Sequence, residues 1–184
     1  MGDTGYTRNN FHSQPTILLT VNYYDSYSFL NLCPTNTKAS LTYAAQSEYD
    51  IKYTVDKSML TGKRIYYNNG TAYLTHAYYY NWQGKLIQAL STNHLNGMEK
   101  EHFSYTYTNN VSRKTHTHTA NGKNYTQLYA YSYDHADRLK KTTHELRIDG
   151  ISKGVITLAE YEYIAYFGDT RPVISVIPAQ SFLL

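Results

Sequence analysis

Aromatic or apolar side chains alternate with polar ones along most of this chain, with a period of two residues. The clearest stretch places four tyrosines on one parity, namely Tyr125, Tyr129, Tyr131 and Tyr133. The other parity holds smaller side chains, namely Thr126, Leu128, Ala130 and Ser132. A period of two puts successive side chains on opposite faces of a β-strand. Spacing typical of an amphipathic helix is nearly absent, so the pattern predicts an all-β fold.

Short turn sequences separate the alternating stretches at a regular interval. Each is Asn or Asp followed by glycine, and they are Asn69-Gly70, Asn96-Gly97, Asn121-Gly122 and Asp149-Gly150, with glycines 27, 25 and 28 residues apart. Both central residues of a type I′ turn need positive φ, which these residue types tolerate. The pairs therefore predict two-residue β-hairpins. In such hairpins Ala120 lies opposite Lys123, and Tyr66 lies opposite Tyr73.

Pairs of tyrosines recur with the same period. They are Tyr78/Tyr80, Tyr105/Tyr107, Tyr131/Tyr133 and Tyr161/Tyr163, with the second tyrosines 27, 26 and 30 residues apart. After Tyr80 and Tyr133 an Asn or Asp opens a second kind of turn, in which Gly84 or Asp137 tolerates left-handed backbone. The copy after Tyr107 lacks both features. One repeat is thus two strands and two turns in about 27 residues, which predicts an antiparallel β-meander of hairpin repeats.

The pattern divides the chain into three parts. Residues 1–20 are a polar N-terminal arm, residues 21–163 form the repeat region, and residues 164–184 are an atypical C-terminal tail. Within the repeat region, residues 29–38 are predicted as a loop. Alternation over residues 49–53 suggests an earlier, eroded repeat. A meander that does not close has two edge strands, so we expect self-association through these edges, or their cover by the arm and the tail.

Composition explains how few aliphatic residues could still build a core. Leu, Ile, Val and Phe together make up 37 of 184 residues, a share low enough to suggest disorder. The formal net charge is only +3, however, and the chain has 22 tyrosines. Tyrosine favours strands and buries a large ring while its hydroxyl finds a hydrogen-bond partner. We therefore expect a folded sheet with a tyrosine-rich core.

Charge, cysteine content and apolar runs argue against several classes of protein. No run of Lys or Arg is longer than two residues, which does not indicate a nucleic-acid-binding surface. No apolar run approaches the ~18 residues that span a bilayer, and residues 1–10 lack the apolar segment of a signal peptide. Cys33 is the only cysteine, so no internal disulfide forms. We expect no nucleic-acid partner, no membrane span and no signal peptide in this chain.

Two stretches resemble the YD-repeat, or RHS-repeat, family of bacteria. They are Tyr80-Asn81 followed by Gly84-Lys85-Leu86, and Tyr133-Asp134 followed by Arg138-Leu139. The sequence around these two stretches is similar to that of family members from Bacteroidetes. The resemblance covers about residues 21–163. It implies a long spiralling antiparallel sheet in a large exported protein, extracellular or at the cell surface.

The same resemblance implies a context that this chain only partly matches. In bacterial toxins of this family, the spiral closes into a shell around a C-terminal effector. The chain is too short for a shell, and it lacks the Asp-Pro-x-Gly sequence of the family's self-cleaving region. We therefore expect a fragment or truncated copy of a longer protein.

The ionisable residues do not combine into a recognised catalytic sequence pattern. No Ser/His/Asp order, phosphate-binding loop or reactive-cysteine context is present, so we expect a non-enzymatic protein without a cofactor. His116 and His118 share one face of a predicted strand and are the candidate metal ligands, but no third ligand stands at a recognised spacing. Glu99 and Glu101 are interpreted as solvent-exposed, and Asp134 and Asp137 as turn formers.

The aromatic side chains are the remaining candidates for binding. Their flat rings suit the apolar faces of sugars or a partner protein, and the candidate residues are Tyr78, Tyr80, Trp82, Tyr129, Tyr131 and Tyr133. Packing within the sheet explains the same rings. Three functions follow: a structural scaffold segment of a surface or secreted protein, a carbohydrate-binding module, or a piece of a toxin-delivery shell.

Overall fold

The computed structural model describes Gly5 and residues 18–54, 57–67, 70, 72–164 and 173–178. Within these residues one antiparallel sheet joins ten strands in sequence order. The strands are β1 (Thr20–Tyr24), β2 (Leu60–Tyr67), β3 (Ala72–Tyr80), β4 (Leu86–Thr92), β5 (Met98–Tyr105), β6 (Val111–Ala120), β7 (Lys123–Tyr133), β8 (Leu139–Ile148), β9 (Ile151–Ile164) and β10 (Val173–Pro178). The prediction of an all-β antiparallel hairpin meander is confirmed.

Two of the predicted hairpins have the expected register. Ala120 pairs with Lys123 across the Asn121-Gly122 turn, where φ is 52° at Asn121 and 74° at Gly122. The Asp149-Gly150 turn is similar, with φ of 51° and 83°, and Ile148 at the end of β8 pairs with Ile151 at the start of β9. Left-handed backbone at two successive residues matches the twist of the strands, which is why these residue types occur here. Tyr66 also pairs with Tyr73 as predicted, although Asn69 lies outside the described residues.

The prediction of a two-residue hairpin at Asn96-Gly97 is wrong. The turn there begins at Asn93, whose backbone N–H donates to the carbonyl of Gly97 at 3.1 Å. The Asn93 side-chain oxygen accepts hydrogen bonds from the backbone N–H groups of Leu95 (3.1 Å) and Gly97 (2.8 Å). Asn96 has a positive φ of 58°, whereas Gly97 does not. The side chain of Asn93 has therefore replaced the type I′ geometry with a five-residue turn.

Three turns at the opposite end of the strands have the same five-residue form. They are residues 81–85, 106–110 and 134–138, and in each the first backbone N–H donates to the fifth carbonyl, at 2.9, 2.7 and 2.9 Å. The fourth residue has positive φ in every case, namely Gly84, Asn109 and Asp137. The copy near Tyr105 is thus complete: Thr106 takes the place of Asn81 and Asp134. Its strand-ending tyrosine is Tyr105 rather than Tyr107.

The N-terminal part of the chain covers one face of the sheet. A 3₁₀ helix (Ser28–Leu32) and a short helix α1 (Thr35–Leu41) occupy the region predicted as a loop, so that prediction is wrong. Phe29, Leu30 and Leu41 are buried in the main apolar cluster. Pro34 precedes α1, where a missing N–H does no harm. Seven residues are too few to show helical periodicity.

Residues 42–54 then cross the sheet as irregular chain. The expectation that residues 49–53 continue the strand alternation of an eroded repeat is wrong. The Gln88 side chain donates to the Ala44 carbonyl at 3.1 Å, and Ser104 donates to the Glu48 carbonyl at 2.8 Å. Hydrogen bonds of this kind fix the segment against the sheet because they satisfy its backbone carbonyl groups. We call this side of β2–β6 the covered face.

The predicted boundary at residue 164 does not coincide with the end of the sheet. β10 lies within the predicted tail and pairs with β9, with Val173 opposite Ile164. The sequence pattern predicts β9 as an unpaired edge strand, but β9 is paired with the further strand β10. The predicted N-terminal arm, residues 1–20, lies almost wholly outside the described residues. In the described part of the chain, no helix has the length and apolar character to cross a membrane.

Candidate functional site

A repeated tyrosine hydrogen bond links the two strands of each repeat. The hydroxyl of the tyrosine at or near the end of the second strand donates to the backbone carbonyl of the first residue of the first strand. The pairs are Tyr80 to Leu60 (2.8 Å), Tyr105 to Leu86 (2.7 Å), Tyr133 to Val111 (2.8 Å) and Tyr163 to Leu139 (2.9 Å). We call these the tyrosine clasps. Two of the predicted binding residues, Tyr80 and Tyr133, are therefore engaged in holding the sheet.

A tyrosine clasp needs a protonated phenol as donor, and the surroundings of Tyr105 and Tyr133 favour that form. Burial raises the pKa of Tyr105, with a further contribution from the Asp50 carboxylate. Burial also raises the pKa of Tyr133, helped by Tyr131 and Asp137. Loss of water around the phenol disfavours the charged phenolate. The Tyr105 and Tyr133 hydroxyls thus remain hydrogen-bond donors throughout the physiological pH range.

The other predicted tyrosines do not form one patch. Tyr78 is on β3, whereas Tyr129 and Tyr131 are on β7, so four strand spacings, about 19 Å, separate them. The Tyr129 ring lies 4.7 Å from the His144 ring, and its hydroxyl donates to Gln127 at 3.0 Å. Burial and the nearby Glu101 raise the pKa of Tyr78. All three rings are half-buried among their cross-strand neighbours.

Among the described residues, the most exposed aromatic side chains lie in the five-residue turns. Trp82 is 73% exposed and Tyr107 is 100% exposed, and both occupy the second position of their turn. His135 holds the same position in the third turn and is also exposed. These turns follow β3, β5 and β7, so they lie at the same end of the strands. Neighbouring turns are about 10 Å apart, which is two strand spacings. We call Trp82, Tyr107 and His135 the aromatic row.

A hydrogen bond between neighbouring turns supports the aromatic row. The Thr108 hydroxyl donates to the Asp137 carboxylate at 2.7 Å. Asp134, which opens the third turn, accepts from the backbone N–H groups of Ala136 and Arg138 and from the Arg138 side chain. The Arg138 side chain and these N–H groups lower the pKa of Asp134 to about 2. The interpretation of Asp134 and Asp137 as turn residues agrees with these contacts.

Sequence reasoning identified Trp82 but missed Tyr107. The sequence pattern makes Tyr107 the second tyrosine of a pair, a position that in the other repeats lies at or next to the end of a strand. The signal that finds it is the three-residue spacing between the first and fourth turn positions. That spacing joins Asn81 to Gly84, Thr106 to Asn109 and Asp134 to Asp137.

The two candidate metal ligands share a carboxylate. His116 Nε2 lies 2.9 Å from one Glu99 oxygen, and His118 Nδ1 lies 2.5 Å from the other. Asn93 also donates to Glu99 at 3.0 Å. Partial burial alone would raise the pKa of Glu99, but these hydrogen bonds outweigh it and the pKa is lowered. The interpretation of Glu99 as merely solvent-exposed is therefore wrong.

Glu99, His116 and His118 form a set of polar contacts between β5 and β6. Across the described ranges, no group of three or more His, Cys, Asp or Glu side chains has an arrangement that could hold a metal ion. Each imidazole of the cluster already contacts the carboxylate, and the His118 ring lies 6.3 Å from the Tyr125 ring. Cross-strand pairs of this kind stabilise a sheet by roughly 0.2–1 kcal/mol each.

A groove of about 560 Å³ lies on the side of the sheet that residues 46–49 cover. Its floor is formed by β6–β9 and is rich in hydroxyl groups, which belong to Thr115, Thr117, Thr126 and Thr143. The charged groups along it are paired: Arg147 contacts Glu145 at 2.7 Å, and Arg113 contacts Glu48. The groove therefore presents hydroxyls and methyl groups, with its charges balanced.

Comparisons with protein-family models, with curated proteins and with solved structures found no significant match.

Proposed function

We propose that the chain is a non-enzymatic structural scaffold, a YD/RHS-type repeat segment of a larger bacterial cell-surface or secreted protein. The observation that carries the proposal is the tyrosine clasp, which recurs four times with the same strand positions. The clasped residues Leu60, Leu86, Val111 and Leu139 are 26, 25 and 28 residues apart. Each clasp lies within one repeat, so a repeat is a self-contained hairpin that neighbours extend.

The polar residues of the turns support a structural role. Asn81, Asn93 and Asp134 each use a side-chain oxygen to accept two backbone N–H groups of their own turn. An oxygen engaged in this way holds the chain direction and has little capacity left for a substrate. The same chemistry recurs at turn after turn, as expected of an extendable array.

Deletion of one whole repeat tests the scaffold proposal. Removing residues 111–138 takes out one complete tyrosine clasp and joins Asn110 to Leu139, the start of the next repeat. We expect a folded sheet with a cooperative thermal transition, because the remaining clasps stay intact. Circular dichroism against temperature measures this.

The matched control removes only half of that repeat, residues 111–122. This shorter deletion leaves the Tyr133 hydroxyl without the Val111 carbonyl, and it removes the same contacts to the N-terminal segment. The larger deletion should therefore melt at the higher temperature. A lower melting temperature for the whole-repeat deletion would contradict the modular scaffold.

The aromatic row supports a second candidate, carbohydrate binding. Exposed rings in turns at the end of a rigid sheet suit the apolar faces of pyranose rings, while the neighbouring Gln83 side chain offers hydrogen-bonding groups. A spacing of about 10 Å between rings favours an extended polysaccharide that meets every second or third sugar. In this case the sugar binds along the aromatic row in the turns rather than on the tyrosine-rich face of the sheet.

Substitution of the aromatic row tests this candidate. If the chain binds a linear polysaccharide, Trp82→Ala and Tyr107→Ala should each weaken binding by about tenfold, since stacking on an aromatic ring is worth roughly 1–1.5 kcal/mol. Tyr67→Ala is the control, because Tyr67 is 44% exposed and lies at the end of the strands away from the aromatic row. Affinity electrophoresis in polysaccharide gels measures the change. Equal retardation of all variants, or none for the unmodified chain, would exclude the row as a sugar site.

A further inference from the structure

Three Asn-Gly or Asp-Gly pairs of this chain differ in the freedom of their reactive atoms. In such pairs the backbone nitrogen of the glycine can attack the side-chain carbonyl carbon of the preceding residue. With asparagine, the new C–N bond closes a succinimide ring, the attacking nitrogen loses its proton, and ammonia leaves. Water then adds across one of the two ring C–N bonds, which yields aspartate or isoaspartate. Glycine favours the attack because it has no side chain to obstruct it.

Both reactive groups of the Asn121-Gly122 turn are accessible. Asn121 and Gly122 are exposed, and no atom lies within 4 Å of the position that a Cβ on Gly122 would occupy. Among the described residues, no hydrogen bond engages the Asn121 side chain or the Gly122 nitrogen. The turn is closed only by the strand ladder that begins at Ala120 and Lys123.

The Asn96-Gly97 pair is restrained by its neighbours. The Gly97 nitrogen donates to the Asn93 side chain at 2.8 Å, so the attacking atom is engaged. A Cβ on Gly97 would lie 1.7 Å from the Thr119 carbonyl oxygen, which shows how closely β6 approaches this glycine. Ring closure at Asn96 therefore requires the turn to lose a hydrogen bond and to separate from β6.

The Asp149-Gly150 pair is restrained at the other reacting group. The Asp149 carboxylate accepts a hydrogen bond from the backbone N–H of Asn124 at 2.8 Å, and the Asp149 N–H donates to the Asn124 carbonyl at 2.8 Å. Its side chain is thus held against β7 and away from Gly150. Asn69 lies outside the described residues.

We infer that Asn121 is a site of spontaneous deamidation, at which the folded chain converts this residue to aspartate and isoaspartate faster than it converts Asn96. Isoaspartate adds a methylene group to the main chain and places a carboxylate beside it. The type I′ turn requires positive φ at two successive α-amino-acid residues. The modified hairpin therefore opens at the Ala120–Lys123 end, which loosens one repeat. The fraction of modified chains increases with the time since synthesis.

The test follows the two asparagines in the same molecule. The full chain is held at mildly alkaline pH and physiological temperature, digested at intervals, and its peptides are sequenced by mass spectrometry. We expect the peptide with Asn121 to show the mass change from amide to acid about tenfold faster than the peptide with Asn96. That factor corresponds to a barrier difference of the size of one hydrogen bond. The same incubation in urea should bring the two rates together.

Two variants separate the geometry from the sequence. Asn121→Gly keeps a residue that accepts positive φ and removes the reacting carbonyl, so modification at this position should vanish while the hairpin persists. Asn93→Ala frees the Gly97 nitrogen, so conversion of Asn96 should rise. Equal conversion of both asparagines in the folded chain would overturn the inference. So would an Asn121 that stays intact when folded yet reacts in urea.

Discussion

Gly97→Ala is expected to destabilise the fold by about 3 kcal/mol or more, the upper range for overpacking in a closed site. A Cβ at this position would lie 1.7 Å from the oxygen and 2.7 Å from the carbon of the Thr119 carbonyl. Both are backbone atoms in the sheet, so no side-chain rotation relieves the clash. The turn must move away from β6, which also breaks the 3.0 Å hydrogen bond from the Asn93 side chain to Thr119. Urea denaturation measures the loss.

Gly122→Ala is the matched control for this prediction. Gly122 also follows an asparagine in a turn, but no atom lies within 4 Å of its Cβ position. Its φ of 74° makes alanine unfavourable by roughly 1–2 kcal/mol through backbone strain alone. Gly97→Ala should therefore be the more damaging change. If Gly122→Ala destabilises as much or more, the close approach of the Asn93–Gly97 turn to β6 is not a feature of the folded protein.

The contrast between these glycines shows what a dipeptide can predict. At Asn121-Gly122 the local preference for positive φ is enough to define the turn and its register. At Asn96-Gly97 the same two residues follow Asn93, whose side chain competes successfully for the backbone N–H groups. A pattern based on Asn-Gly alone cannot separate the two cases. The spacing between Asn93 and Asn96 does so, because it matches that between Asp134 and Asp137.

The candidate site was predictable only where the signal is local. Trp82 could be identified because large exposed aromatics follow from a polar turn sequence. The tyrosine clasps could not, because their acceptors are backbone carbonyls, and any residue at the start of the first strand provides one. Glu99 likewise depends on cross-strand register, since His118 faces it only when β5 and β6 pair as they do. Contacts between distant residues have no signature within a single strand.

The cover formed by the N-terminal segment is a further case, and its energetic weight can be measured. Leu41→Ala is expected to destabilise the protein by about 2–5 kcal/mol, the usual range for truncating a fully buried leucine. Leu41 is 0% exposed and belongs to the main apolar cluster with Tyr79 and Ile87. Its backbone carbonyl also accepts a 2.5 Å hydrogen bond from the Tyr79 hydroxyl. Chemical denaturation followed by tyrosine fluorescence measures the change.

Leu32→Ala is the control within the same segment, because Leu32 is 41% exposed and should contribute less than about 1 kcal/mol. The size of the difference distinguishes two roles for the segment. A large effect of Leu41→Ala means that α1 supplies the apolar burial that the sheet's own aliphatic residues cannot. Equal effects of the two substitutions would mean that the repeats are stable without the cover. In that case, hairpin pairing and the tyrosine clasps would carry the fold by themselves.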